Sequence, residues 1–374
     1  MNLNDVHAQE FARKLQRIHA YLEENNLDAV LIGTQANFSW LSCGGRSSVL
    51  ATSELSDAIA VVTRDRRTLV AYTMDGERNR DEEMGDLGFD LVMTRWNEQS
   101  REQIVREMLV GKRFLSDIPM DGTRPDPRAF YRLIYPLTGQ ETDRYRRIAK
   151  DSELILRSTV DTIRPGMTEA EVEGLLISAF SLKGFVSTVV LVGSDERIPK
   201  YRHPLPSGKK IDRTVLLVLC PRKYGLHVPL TRTISFDGSL DPDMQRRFEA
   251  ASTVAAHCIA RSVPGTRFAD VLAMQKRLYG ELGYDGEWRN HFQGGPTGYM
   301  PNDSTLCLDG ESVIQDEQPM NWFVTITGVN TEDTILSGKQ GGEILTRSGS
   351  WPVKRYRALG KEVFLPEVLH LAGR

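Results

Sequence analysis

Ile163-Arg164-Pro165-Gly166-Met167-Thr168-Glu169 and Val263-Pro264-Gly265-Thr266-Arg267-Phe268-Ala269 have their prolines 99 residues apart in a chain of 374. A long charged helical run over residues 143–162 precedes the first stretch, and a second helical run to Phe180 follows it. The second stretch is followed by a helical run to Leu282. Pro-Gly ends a helix because proline lacks an amide donor and glycine readily takes a positive φ. In the first copy Thr168 and Glu171 have capping-box spacing, so the hydroxyl accepts a free helix amide while the carboxylate reaches back to the cap. Thr266 is expected to open the second helix. Pro-Gly stops are common, but the matched order on both sides favours a duplicated α+β half-domain over chance recurrence.

Between and after the copies lie β-branched apolar runs at 188–193, 215–220, 323–327 and 334–336, which read as buried strands. A duplicated domain with helices on one face of a curved sheet leaves a concavity on the other, where a small-molecule site forms. The first half reads as a layered α/β domain. Phe11, Leu15, Ile18 and Leu22 have helical spacing, residues 28–33 form a strand, and 58–63 and 68–72 form a hairpin around Arg64–Arg67. Two further strands at 89–94 and 114–118 flank a helix near 99–110. The pattern breaks around Pro136–Gln140, which places the domains at 1–140 and 141–374.

Forty-seven Lys and Arg against fifty Asp and Glu give a net charge of −3. That balance argues against a nucleic-acid or anionic-membrane partner, either of which calls for a basic excess. No apolar run approaches the roughly 18 residues of a membrane span, and the polar start Met1–Asp5 does not look like a signal peptide. Cys43, Cys220, Cys258 and Cys307 are scattered without a CxxC pair, as expected of reduced thiols in a cytoplasmic protein.

The residues quoted so far, with Leu27–Leu31, Asn37–Leu41, Leu230-Thr231-Arg232-Thr233 and Glu332-Asp333-Thr334, resemble the creatinase / aminopeptidase P / prolidase superfamily, an M24-like group. The likeness runs over nearly the whole chain. It implies a creatinase-like N-terminal α/β domain followed by a C-terminal α+β domain of pita-bread fold, and a homodimer.

Peptidases of that superfamily hold two metal ions through Asp, Asp, His, Glu and Glu. Carried over residue by residue, the resemblance puts Val218 and Pro229 where the aspartates stand. Gly295 falls where the histidine stands, and Phe323, within one residue, where the first glutamate stands. Only the last glutamate is kept, as Glu332. A lone carboxylate holds a divalent ion poorly, so the expectation is no metal and no other cofactor.

His203, in Arg202-His203-Pro204, matches a histidine that serves as general acid/base in the metal-free creatinases, and imidazole suits that role near neutrality. His291, four residues before Gly295, matches another pocket histidine, and Gln293 and Tyr299 are candidates to line the same pocket. Glu332 is expected to bind substrate or orient water. Creatinases carry a glutamate directly before the Arg-Thr, where this chain has Thr231, so creatine itself is not the expected substrate. Arg232 reads as a structural ion pair, with substrate binding as the alternative. Arg46 follows a glycine pair, and the resemblance implies that such an arginine, given by the partner of a dimer, holds a substrate carboxylate. Cys220 and His227 are near enough in sequence for a Cys–His pair, though a buried thiol is the commoner outcome.

The resulting expectation is metal-independent hydrolysis of a C–N bond in a small polar molecule, with His203, His291 and Glu332 catalytic and Arg46, Tyr299, Gln293, Thr231 and Arg232 binding. The competing expectations are a non-catalytic module that binds a peptide or protein, a lyase-like C–N cleavage, and an Xaa-Pro metallopeptidase.

Overall fold

A computed structural model describes residues 3–120, 125–308 and 310–371. The chain forms two compact units, residues 1–142 with 224–226 and residues 143–223 with 227–374.

In the first unit, five strands stand in the order Asp90–Thr94, Arg67–Tyr72, Leu55–Thr63, Ala29–Thr34 and Phe114–Ser116. The expected hairpin is present, closed by the Thr63 amide donating to the Arg66 carbonyl at 2.9 Å. Leu31, Ile59, Val61 and Val70 pack against Val105 of the helix Arg101–Met108. In the helix Leu3–Glu24 the fully covered stripe is Phe11, Lys14, Ile18 and Leu22, with Leu15 only partly covered. Lys14 can take a core position because Glu10 and Glu141 approach its ammonium to 2.6 and 2.9 Å. A buried charge is tolerated only when paired in this way.

In the second unit the main strand order is Gly295–Pro296, Pro319–Ile326, Val329–Leu336, Leu230–Ser235, Thr214–Lys223 and Val186–Ser194. The duplication is visible in its hydrogen bonds. Gly166 and Gly265 each donate to an isoleucine carbonyl, Ile211 and Ile314, at 2.8 Å. Each isoleucine amide returns a bond of 2.8 Å, to Met167 and Thr266 respectively. The helices that follow are Glu169–Ser181 and Phe268–Glu281. Thr168 caps the first with its complete capping box. Thr266 does not open the second. It lies one residue early, and the cap position falls to Arg267, which makes no side-chain cap.

The sheet has two distinct faces. On one, Arg232 bonds Glu153 of the helix Gly139–Val160, and the Trp322 indole donates to Ser262 beside the helix Pro242–Arg261. Because side chains alternate along strands, Val218, Thr231, Phe323 and Glu332 face the other way. They form one row, since Val218 pairs with Thr231, Thr231 with Glu332, and Glu332 with Phe323.

Candidate active-site cavity

Val218, Phe323 and Glu332 of this row line a cavity of about 320 Å³ in the second unit. Its wall is largely carbon, from Val189, Leu191, Leu205, Val218, Phe292 and Phe323. The polar side chains that reach it are His203, Asn302, Asn321 and Glu332, and among the described residues no Lys or Arg lines it. A largely carbon wall is not what the expected small polar substrate calls for. The strands at 186–194 and 214–223 send in Val189, Leu191 and Val218, the last at a position where the resemblance implies an aspartate.

Glu332 is buried at the floor. Asn321 donates to its Oε1 at 2.6 Å and the Thr231 hydroxyl donates to Oε2 at 2.8 Å. Asn302 in turn donates to the Asn321 side-chain Oδ1 at 2.6 Å, and Asn330 to the Thr231 hydroxyl oxygen at 3.2 Å. Burial pushes the Glu332 carboxyl up to about 8, against the pull of Thr231 and Asn321. Desolvation of a carboxylate with no cation in direct contact has this effect.

His203 and His291 meet with their Nε2 atoms 2.9 Å apart and their rings nearly perpendicular. His291 also lies against the rings of Phe292 and Phe323, at centroid distances of 4.1 and 4.4 Å. Burial holds His291 down near 4, so it is neutral at pH 7. The loop carrying His203 is fixed next door by Arg202, which bonds Thr325, Thr327 and Glu287. His203 itself is exposed.

The other expected site residues lie elsewhere. Gln293 donates to the carbonyls of Trp288 and His291 and accepts from Tyr279, so its polar atoms serve the turn rather than the cavity. Tyr299 is buried and does not line the cavity. Arg232 does not line this cavity: it lies on the helix-facing side, 2.9 Å from Asp333 and 3.1 Å from Glu153. Thr231 touches Glu332 rather than the open space. Arg46 belongs to the first unit, where its amide donates to Glu83 at 2.5 Å and its carbonyl accepts from Arg78. Burial pushes the Cys220 thiol up to about 12 and holds His227 down near 3, the reverse of an activated thiolate–imidazolium pair. Asn321 and Asn302 escaped the sequence reading. Asn321 was accessible to it, since it stands two residues before Phe323 on the same strand and so on the same face.

The residues present do not fit a pair of metal ions. Among the described residues, no three His, Cys, Asp or Glu side chains gather as a metal-holding group. Val218, Pro229 and Phe323 do line the cavity together with Glu332, so the positions matched by resemblance converge, but with carbon in place of donors. At Gly295 a Cβ would stand 2.9 Å from the Asp303 carbonyl oxygen and 3.2 Å from the Ser304 Cα. The backbone therefore closes over the position where a histidine would have to fit.

A model of metallopeptidase family M24 matches residues 143–336, just over half of the chain. The Xaa-Pro dipeptidase of Pyrococcus horikoshii is 21% identical over 355 residues, covering 90% of this chain and 97% of that protein. The solved Xaa-Pro dipeptidase of Bacillus anthracis superposes with a TM-score of 0.74 at 16% identity, covering 96% of this chain and all of that one. Dipeptidase PepE of Mycobacterium ulcerans superposes with a TM-score of 0.76 at 17% identity, covering 98% and 99%. These likenesses establish the pita-bread fold with its N-terminal domain, as the resemblance implied. Every residue of the cavity wall lies inside the segment that the family model matches, and the chain belongs to metallopeptidase family M24.

Proposed function

We propose that the protein is a metal-independent hydrolase that cleaves a C–N bond of a small molecule held in this cavity. The observation that carries the reading is the pairing of His203 and Glu332 on one cavity whose remaining matched positions offer no metal donor. Relatives named as Xaa-Pro dipeptidases support C–N hydrolysis as the class of reaction.

His203 draws a proton from water as the water oxygen bonds to the substrate's acyl-type carbon. It returns that proton to the nitrogen as the C–N pair leaves with it. His291 orients the His203 ring through the 2.9 Å contact. Glu332, protonated in part at neutral pH, donates a hydrogen bond to the substrate oxygen as negative charge gathers there. In this reading a second copy of the chain forms a dimer. Sedimentation velocity measures that dimer.

The test incubates chelator-treated and manganese-, cobalt- or zinc-loaded protein with amide, carbamoyl, amidino and Xaa-Pro dipeptide substrates, following release of amine or ammonia. The expected result is release by the chelator-treated protein, reduced about 10²–10⁴-fold in His203→Ala. Release only with added metal overturns metal independence and favours an Xaa-Pro dipeptidase. The apolar wall favours one second reading, a non-catalytic pocket for a peptide side chain. Ligand binding without turnover under either condition selects it.

A further inference from the structure

We infer that the group entering the cavity is uncharged, an apolar body such as an aryl-alkyl chain ending in a carboxamide, and not an amine, a guanidinium or a carboxylate. The inference rests on the reading of this cavity as the hydrolase site, and it specifies the substrate class. Three observations carry it.

First, the wall is carbon, buried at Leu191, Val218 and Phe323 and reaching the surface at Val189, Leu205 and Phe292, so a group that reaches the floor gives up much of its water. An ion placed there loses its hydration and finds little in return. Second, among the described residues no Lys or Arg lines the cavity, so a carboxylate meets no cationic partner from these walls. Third, both oxygens of Glu332 are already engaged, Oε1 by Asn321 and Oε2 by Thr231. A guanidinium's bidentate grip takes both carboxylate oxygens edge-on, and Asn321 and Thr231 already occupy one acceptor site on each. A carboxamide demands less. It is neutral, and its oxygen and NH₂ match a floor made of a carboxyl and the amides of Asn321 and Asn302. The volume of about 320 Å³ is at the lower end of small-molecule clefts and leaves room for a ring and a short chain beyond the amide.

Calorimetric titration of the whole protein with 4-phenylbutanamide, 4-phenylbutylamine and 4-phenylbutanoate at pH 7 tests this. The three share one apolar body and differ in terminal charge. The expected result is that the amide binds at least tenfold more tightly than either ion. An amine or a carboxylate that binds as well as the amide overturns the inference, as does an amide that fails to bind at millimolar concentration. Leu205→Asp places a charge at the exposed rim of the cavity, where it does not strain the core. It is expected to weaken the amide at least tenfold while leaving the thermal midpoint unchanged. Unchanged amide affinity in that variant moves the binding site elsewhere and overturns the inference. Binding is read without turnover, so an amide that binds with the expected preference but is not cleaved counts against the hydrolase reading alone.

Discussion

Phe323 stands directly opposite Glu332 on the neighbouring strand, and the carboxyl's other cross-strand neighbour is Thr231, itself opposite Val218. Glu332 is therefore the one ionisable group in a row otherwise made of two hydrocarbons and a hydroxyl. Its surroundings offer a donor to each oxygen, and among the described residues no Lys or Arg lines its cavity. Arg232, the nearest guanidinium in sequence to Thr231, spends its charge on Glu153 and Asp333 across the opposite face.

That isolation makes stability depend on pH through Glu332. The carboxyl titrates near 8 in the folded protein and near about 4.3 in the unfolded chain. Between those values the folded chain holds a proton that the unfolded chain has released. Stability therefore falls as pH rises, by about tenfold in the folding equilibrium per pH unit, and levels off above the folded value. Glu332→Gln keeps an oxygen for Asn321 and removes the titration. Urea midpoints at pH 5, 6, 7 and 8 are expected to decline less steeply in the variant than in the parent. Equal slopes would mean that the carboxylate is ionised throughout.

The histidine pair has one consistent arrangement of protons. His291 Nδ1 lies 2.6 Å from the Phe292 carbonyl, which accepts only, so that nitrogen carries the hydrogen. With His291 held near 4 by burial, its Nε2 is bare at pH 7, and the hydrogen between the rings must come from His203 Nε2. His203 Nδ1 is then the atom left to move a proton. Long-range proton–nitrogen spectra at pH 7 are expected to show the Nε2–H tautomer at His203 and the Nδ1–H tautomer at His291. The opposite tautomer at His203 would leave its Nδ1 unable to act as the base.

The large features of this arrangement could be read from local chemistry. Thr168 and Glu171 mark a helix start by themselves, and Arg64–Arg67 marks a hairpin turn, because each depends on residues three or four apart. The convergence of Val218, Pro229, Phe323 and Glu332 was recovered through family likeness and ordered spacing, and the pairing of Phe323 with Glu332 selects that residue over its neighbours. What the sequence hid was long-range. Lys14 looks like a surface lysine until Glu141, far along the chain, folds against it. Gln293 and Tyr299 sit in a glycine-rich turn that seemed to point at a ligand, yet Gln293 is consumed by Tyr279 and nearby carbonyls. Side-chain direction in such turns depends on backbone angles that spacing does not determine.

Arg232 is expected to behave as a structural residue. Its guanidinium bonds Asp333, Glu153 and the carbonyls of Thr231 and Thr346. Arg232→Met preserves much of the volume and leaves two buried carboxylates without a cation, at a cost of about 3–5 kcal/mol. Adding Glu153→Gln and Asp333→Asn removes the stranded charges and should restore most of the loss. Urea unfolding of the single and triple variants measures both. A substrate-binding role would instead give a single variant of unchanged stability and weakened ligand affinity.

Gly294 is expected to be the most sensitive glycine near the cavity. Its φ is +108°, and a Cβ there would stand 2.3 Å from the Asn321 carbonyl oxygen, 2.7 Å from the Trp322 Cα and 2.9 Å from the Phe323 nitrogen. Those three atoms belong to the strand that supplies Asn321 to Glu332 and Phe323 to the wall. Gly265 also has a positive φ, +85°, but a Cβ there meets nothing within 4 Å. Gly265→Ala therefore carries only the backbone penalty, about 1 kcal/mol. Gly294→Ala carries that penalty and must also push the strand away, for a total above roughly 3 kcal/mol. Because the displaced backbone holds Asn321, the variant should also lose affinity for 4-phenylbutanamide where it remains folded, whereas Gly265→Ala should keep it. Thermal melts and calorimetry on the two variants separate the effects. Equal melting points would mean that the 294–295 turn can move away from the strand, and the cavity floor would then not depend on it.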